Sequence, residues 1–282
     1  MSEESRERDW IQFILKLATC SLFLGRGVLY LSGYSPLTAF FWNQDWLEPI
    51  VVRLLGVPWE AYAATSEPLV SNIQYLMGSF FIACSIVCWW ISPTRNRWAS
   101  GIILAGTVIL IPYWILCWAN KDFQSAMFLE HFLQWGTPLL LVLYDRIGPR
   151  AWYGVAWLFT SCTFFGHGQY AFGLGVPQSN DFLNMCIRLL GVDAEAANLF
   201  LQFIGILDFA LPVLLLIPYI RFSGLLYATV WGTATALARV MSHWTPAEDF
   251  YGMHPWAAET IVRLAHGLVP LAMLLIIFRK RE

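Results

Sequence analysis

The side chains that could exchange protons or hold an anion lie at restricted depths in long apolar segments. Arg26, His131, His167, Asp208, Arg239, Glu259, Arg263 and His266 all sit within, or at the ends of, stretches otherwise built from aliphatic and aromatic residues. An ionisable group at bilayer depth costs at least ~2.5–3.5 kcal/mol on insertion scales, so it should face a bundle interior or a water-filled cavity. Histidine titrates near neutrality and can pass a proton or donate a hydrogen bond. Asp208 can accept a proton or orient a histidine. Arginine presents a planar fork that grips an anionic oxygen with two hydrogen bonds. Glu259, Arg263 and His266 are spaced i, i+4 and i+7, hence on one helical face, and Glu130, His131 and Gln134 share the first turns of another segment. Two readings are open. In one, the charges pair and fix the bundle, as Arg26 with Glu130 and Glu259 with Arg263 would. In the other, they line a polar cavity open to the outer face of the membrane and able to hold a quinone headgroup, a small anion or a thiol compound.

The surroundings of these groups follow from composition. Of 282 residues, 58% are hydrophobic and only 13% charged, against roughly 25% charged in an ordinary soluble domain. Mean hydropathy is +0.56 and tryptophan occurs 15 times. A soluble chain of this length cannot cover so much apolar surface, which excludes a soluble globular enzyme, a disordered chain and a disulfide scaffold. The net charge is −2 with no basic run in the interior, which argues against a nucleic-acid partner. The partner implied is the lipid bilayer. The cysteines Cys20, Cys84, Cys88, Cys117, Cys162 and Cys186 form no CxxC and suit packing. The N-terminal stretch mixes both signs of charge and lacks a small-residue cleavage site, so the first apolar segment is expected to be retained.

A bilayer core of about 30 Å needs about 20 apolar residues per helix. Eight segments meet that length: Trp10–Gly33, Asn72–Ile91, Trp98–Trp118, Ala126–Tyr144, Ala151–Leu174, Ala197–Tyr219, Phe222–Met241 and Ala258–Phe278. Turn formers such as Ser92-Pro93 and Gly148-Pro149 separate them. Phe40–Val57 and Asp181–Val192 are too short or too charged to span and read as helices lying in the interface or against the bundle; Trp42, Trp46 and Trp59 suit an aromatic belt. With both termini on one side, that side collects Arg6, Arg8, Arg95, Arg97, Arg146, Arg150, Arg221, Arg279, Lys280 and Arg281. The opposite loops carry mostly acids, among them Asp45, Glu48, Glu60, Glu67, Asp122, Asp181, Asp193, Glu195, Glu248 and Asp249. The positive-inside rule then places both termini in the cytoplasm of a cell with this protein in its inner (plasma) membrane. Arg26 lies about 24 Å from the cytoplasmic start of the first span at 1.5 Å per residue, and His167 matches that depth in the fifth. Nearly every intramembrane charge thus falls in the outer half of the bilayer. Lys16 is the exception and can snorkel to the cytoplasmic side.

The two halves of the chain echo each other. Phe23-Leu-Gly25-Arg26-Gly27-Val-Leu-Tyr30 is similar to Phe164-Phe-Gly166-His167-Gly168-Gln-Tyr-Ala171, and Arg53-Leu-Leu-Gly-Val57 is identical to Arg188-Leu-Leu-Gly-Val192. Asn72 to Gly78 parallels Asn198 to Gly205, and Thr137-Pro138-Leu parallels Val269-Pro270-Leu, in the same order in both halves. The reading is a duplication, residues 1–147 and 148–282. Four spans per half is an even number, so the halves insert in the same orientation, related by an axis along the membrane normal. The fold class expected is therefore all-α: a polytopic membrane protein of eight transmembrane helices, two repeated four-helix bundles with interfacial helices.

Four spans opening with a GxG element, then an amphipathic loop, then a span with an acidic residue, resemble the DoxX-like membrane protein family. The second half carries the resemblance almost throughout, in Phe165-Gly166-His167-Gly168, Ile204-Gly-Ile-Leu-Asp208, the run from Trp231 to Thr235-Ala-Leu-Ala-Arg239, and Arg263 with Pro270-Leu-Ala. The first half departs from it: Arg26 replaces the histidine and apolar Phe81 stands at the acidic position. The resemblance implies a fused tandem of four-helix modules. The family includes a small subunit linked to quinone-dependent thiosulfate oxidation and proteins tied to thiol redox stress, which implies a quinone- or thiol-related redox role beside a partner oxidoreductase subunit. The alternative is a non-enzymatic scaffold, a chaperone-like subunit or a small-solute carrier, and whether the chain is catalytic stays open. A quinone is the cofactor kept in view. The chain has no CxxCH, and no span carries two histidines spaced to stack two haems, so haem b is not expected from His131, His167 and His266; neither is a metal site from these histidines and Asp208. No Walker motif, nucleophile elbow or HExxH is present. The specific expectation is that His167, Asp208, Arg239, Arg263 and His266 line one cavity in the outer half of the second bundle, with His167 beside Asp208.

Overall fold

The structure, a computed structural model, describes residues 3–91, 96–244 and 250–279, and side chains over 10–91, 96–244 and 254–278. Ser92-Pro93, Arg95, Glu248, Asp249, Lys280 and Arg281, on which part of the turn and topology readings rest, lie outside the described residues; so do the side chains of Arg6, Arg8 and Arg279. Among the described residues every regular element is helical. The first half runs α1 (Glu3–Leu31), short α2 (Leu37–Phe41) and α3 (Gln44–Glu48), a π-helical turn (Pro49–Leu54), α4 (Trp59–Val87), α5 (Arg97–Ala119), α6 (Ser125–Glu130) and α7 (Phe132–Leu143). The second runs α8 (Pro149–Phe172), α9 (Asn180–Leu190), α10 (Ala194–Leu214), α11 (Arg221–His243), α12 (Phe250–Arg263) and α13 (Ala265–Arg279).

Six stretches are long and apolar enough to cross a membrane: Trp10–Leu31, Trp59–Trp90, Arg97–Ala119, Ser125–Leu143, Ala194–Leu214 and His254–Phe278. The chain is a helical membrane protein. Large apolar side chains such as Leu76, Val108, Leu199 and Val230 point outward and are exposed, while Arg26, Glu130, Asp208 and His266 are buried. That inside-out distribution suits lipid as the solvent. α8 and α11, at 24 and 23 residues, are as long as the spanning helices but more polar.

The centre is built from α1, α6–α7, α8 and α12–α13, with α4 and α5 flanking on one side and α9, α10 and α11 on the other. The two GxG elements explain how these helices approach. A Cβ at Gly25 would lie 2.7 Å from the Ala258 carbonyl oxygen of α12, and one at Gly166 would lie 2.6 Å from the Glu130 nitrogen of α6. The second glycine of each element faces the next long helix of its own half. A Cβ at Gly27 would lie 3.0 Å from the Gly78 oxygen, and one at Gly168 3.1 Å from the Gly205 oxygen. Backbones this close leave no room for a side chain, the small-residue packing expected between helices in lipid.

Two interruptions differ from the uninterrupted fourth and eighth spans that hydropathy suggests. The first lies between α6 and α7 at His131. There the Leu133 N–H donates to Thr163 Oγ1 of α8 at 2.9 Å, and His131 Nδ1 lies 2.9 Å from the Met127 carbonyl. Side chains have entered the backbone ladder, a recognised cause of kinks. The second lies at Leu264, between Arg263 and Ala265, where α12 ends and α13 begins. The segment Phe40–Val57, expected as one interfacial helix, is divided into α2, α3 and the π-helical turn; Pro49 opens that turn. The segment expected at Asp181–Val192 forms the single helix α9, Asn180–Leu190: Ser179 caps it at 3.3 Å from the Phe182 nitrogen, and Arg188 donates 3.2 Å to the Ser242 carbonyl in the last turn of α11. Lys16 donates 3.1 Å to the Trp89 carbonyl.

Candidate functional site

The polar residues gather at one end of the central bundle because of chain direction. Arg26, His167 and Arg239 lie in the last turns of α1, α8 and α11, while Glu130, His131, Glu259 and Arg263 lie in or just after the short helices that lead back. Arg26 Nη2 donates to Gln134 Oε1 of α7, and Arg26 Nη1 lies 3.5 Å from Glu259 Oε1 of α12. The same guanidinium stands 4.2 Å over the Tyr113 ring, a cation–π contact strengthened by burial. Arg263 pairs with the other oxygen of Glu259 across one helical turn. Two arginines from opposite halves of the chain therefore share one carboxylate.

Beside this triad lies a histidine cluster. Glu130 Oε1 is 3.6 Å from His131 Nδ1, and Glu130 Oε2 is 3.8 Å from His167 Nε2. The His167 and His266 rings lie 5.0 Å apart between centroids. His266 is fully buried, and neither of its ring nitrogens nor His167 Nε2 has a hydrogen-bond partner. A buried donor left unmade costs about 1–3 kcal/mol, so such groups stand out as places where something else can bond.

Two cavities adjoin the cluster. A polar chamber of about 590 Å³ is walled by Lys121, Glu130, Asp181, Arg239, Glu259 and Arg263, among others. A second cavity, about 210 Å³, lies beneath α9 and between α10 and α11; its wall is apolar except for His167, Asp208, Thr235 and Arg239. Phe182, Met185 and Arg239 form part of both walls. Arg239 donates 3.0 Å to the Thr235 carbonyl of its own helix, and among the described residues no carboxylate lies within 4.0 Å of it. Asp208, 1% exposed, accepts a 2.7 Å hydrogen bond from the Tyr227 hydroxyl. Burial pushes the Cys186 thiol on α9 up, so it is a neutral part of the apolar wall.

The structure divides the five residues expected around one cavity. His167, Asp208 and Arg239 line the apolar cavity, Arg239 and Arg263 the polar chamber, and His266 lies buried beside His167 in neither wall. Arg26 and His131 also stand outside both walls, and Glu259 lines the chamber. Asp208 bonds to Tyr227, while the near neighbours of His167 are Glu130 and His266. Glu259 and Arg263 pair as the i, i+4 spacing suggests; Arg26 turns to Gln134 and Glu259 instead of Glu130. Tyr113 and Tyr227 escaped the reading from sequence. A tyrosine inside an apolar span needs a partner for its hydroxyl, a signal that flags Tyr227 but does not name Asp208. Among the described residues, no three His, Cys, Asp or Glu side chains are placed to hold a metal ion. Neither protein-family models, nor curated proteins, nor solved structures give a match to this chain.

Proposed function

We propose that the chain is a redox-linked inner-membrane subunit that binds a quinone in the cavity of its second half and works beside a partner oxidoreductase. The observation that carries this reading is the apolar cavity that ends on His167, Asp208 and Arg239. A quinone combines a flat ring, two carbonyl oxygens that accept hydrogen bonds and an apolar tail. A cavity of about 150 Å³ holds benzene, so 210 Å³ admits a substituted six-membered ring. His167 Nε2 lacks a hydrogen-bond partner and is the donor suited to one carbonyl; Arg239 suits another. Leu189, Leu190 and Phe203 on α9 and α10 are exposed and offer the tail a route to lipid. A bound quinone would supply the two-electron chemistry; His167 and Arg239 would hold its oxygens, and the apolar wall would keep water from it. His167, within 3.8 Å of Glu130, joins the cavity wall to the polar chamber and can hand a proton across.

The experiment is extraction of lipid from the detergent-purified protein, with quinone measured by redox difference absorbance. Wild type should retain quinone and rebind a short-chain analogue. His167→Ala should weaken that binding at least about tenfold, the equivalent of 1.4 kcal/mol. Wild-type protein that neither retains nor rebinds quinone would leave the scaffold or solute-carrier reading in its place.

The architecture proposed with this function has eight spans, α8 and α11 included, in two DoxX-like repeats, residues 1–147 and 148–282, inserted alike with both termini cytoplasmic. At 1.5 Å per residue α8 and α11 are each about 35 Å long, enough to cross. The matched glycine crossings of α1 and α8 support the duplication. Cysteines placed at Ser2 and Glu282 in a cysteine-free background should resist an impermeant maleimide added outside and react after permeabilisation. Labelling of either from outside would overturn the topology.

A further inference from the structure

We propose that the chain holds one ring-bearing ligand rather than two, and that Ala171 and Asp208 decide which half holds it. The proposal rests on the quinone reading above for the ligand's identity, and on packing for the rest. The glycine crossings put the halves in register: Gly27 faces Gly78 as Gly168 faces Gly205. Three residues beyond each glycine stand Tyr30 and Phe81 in the first half, and Ala171 and Asp208 in the second. Tyr30 and Phe81 are both fully buried. Their rings meet edge-on at 5.5 Å, with Phe23 5.9 Å from Phe81 and Tyr113 6.0 Å from Tyr30. Four aromatic rings pack against one another at that place. In the second half, Ala171 and Asp208 line the 210 Å³ cavity. By the glycine register, the cavity stands at the position where the first half keeps two aromatic rings.

The difference also sets the chemistry. Interiors close to native density without voids, so an apolar void of this size is open to a guest that restores the missing ring contacts. A planar six-membered ring replaces what Tyr30 and Phe81 supply in the first half. The polar edge favours a ring that bears hydrogen-bond-accepting oxygens, because His167 Nε2 has no hydrogen-bond partner and the Arg239 guanidinium lines the same wall. The first half has Arg26 at the position of His167, and that guanidinium is already committed to Gln134, Glu259 and Tyr113.

The test compares wild type with Ala171→Tyr/Asp208→Phe, which rebuilds the first half's packing in the second; Ala171→Tyr alone serves if the double variant does not fold. Binding of a short-chain quinone and of naphthalene is measured by equilibrium dialysis against empty micelles, with thermal unfolding alongside. The expected result is one site per wild-type chain for each probe. In the variant the affinity for each probe should fall at least about tenfold, with a midpoint at or above wild type. Two sites per wild-type chain, or an undiminished site in a folded variant, would overturn the proposal. One naphthalene and no quinone would remove the quinone reading and keep the single cavity. Binding of neither probe would overturn both.

Discussion

Gly166→Leu should abolish the folded bundle, whereas Gly154→Leu in the same helix should not. A Cβ at Gly166 would lie 2.6 Å from the Glu130 nitrogen and 2.8 Å from the Ala126 carbonyl, both backbone atoms of α6. Overpacking of a core by a few methylenes typically costs about 1–3 kcal/mol when side chains can yield. Here the obstacle is main chain, and relief requires α6 and α8 to separate. That separation would also pull Glu130 from His167 and remove the Thr163 hydroxyl from the Leu133 N–H. At Gly154 an added Cβ meets nothing within 4 Å. Size-exclusion profiles in mild detergent should show Gly154→Leu monodisperse and Gly166→Leu aggregated or absent. Gly25→Leu should behave like Gly166→Leu, since its Cβ would lie 2.7 Å from the Ala258 carbonyl. Matching profiles for Gly154→Leu and Gly166→Leu would mean that the tight crossing is not required for folding.

The second large effect is expected at Glu259, the carboxylate shared by Arg26 and Arg263. Glu259→Leu leaves two buried guanidinium groups without their anion. Removing one partner of a buried pair costs about 3–5 kcal/mol. The lower end applies, because the Glu259 side chain is 25% exposed toward the polar chamber and Arg26 keeps Gln134 and Tyr113. A loss of ~3 kcal/mol corresponds to a fall of roughly 6–12 °C in the unfolding midpoint for a chain of this size class. Differential scanning fluorimetry on the tryptophans should show it. Glu259→Leu/Arg263→Met should recover part of the loss, because one of the stranded charges is gone. A Glu259→Leu midpoint within a degree of wild type would show that the triad contributes nothing to stability.

These expectations mark the boundary between what is legible along the chain and what is not. By composition and apolar run length alone, this is a helical membrane protein. The 3.6-residue period alone pairs Glu259 with Arg263, because both partners lie on one helix. Depth along each segment places Arg26, His167 and Arg239 toward one end. Each of these properties is local, depending on neighbours within a few turns. The partners that come from elsewhere were not legible: Gln134 and Glu259 for Arg26, Tyr227 for Asp208, and Thr163 for the Leu133 N–H that interrupts the fourth apolar segment. Which helices touch is set at Gly25, Gly27, Gly166 and Gly168, where backbone approaches backbone over large sequence separations. The division of the polar residues between a polar chamber and an apolar cavity has the same origin. Arg239, Phe182 and Met185 form the partition, and no run of residues reveals a wall built from two helices that lie apart in the sequence. Tertiary packing alone decided that the rings of Tyr30 and Phe81 meet in the core while Ala171 and Asp208 border a cavity, because a void exists only where neighbouring helices fail to fill the space between them.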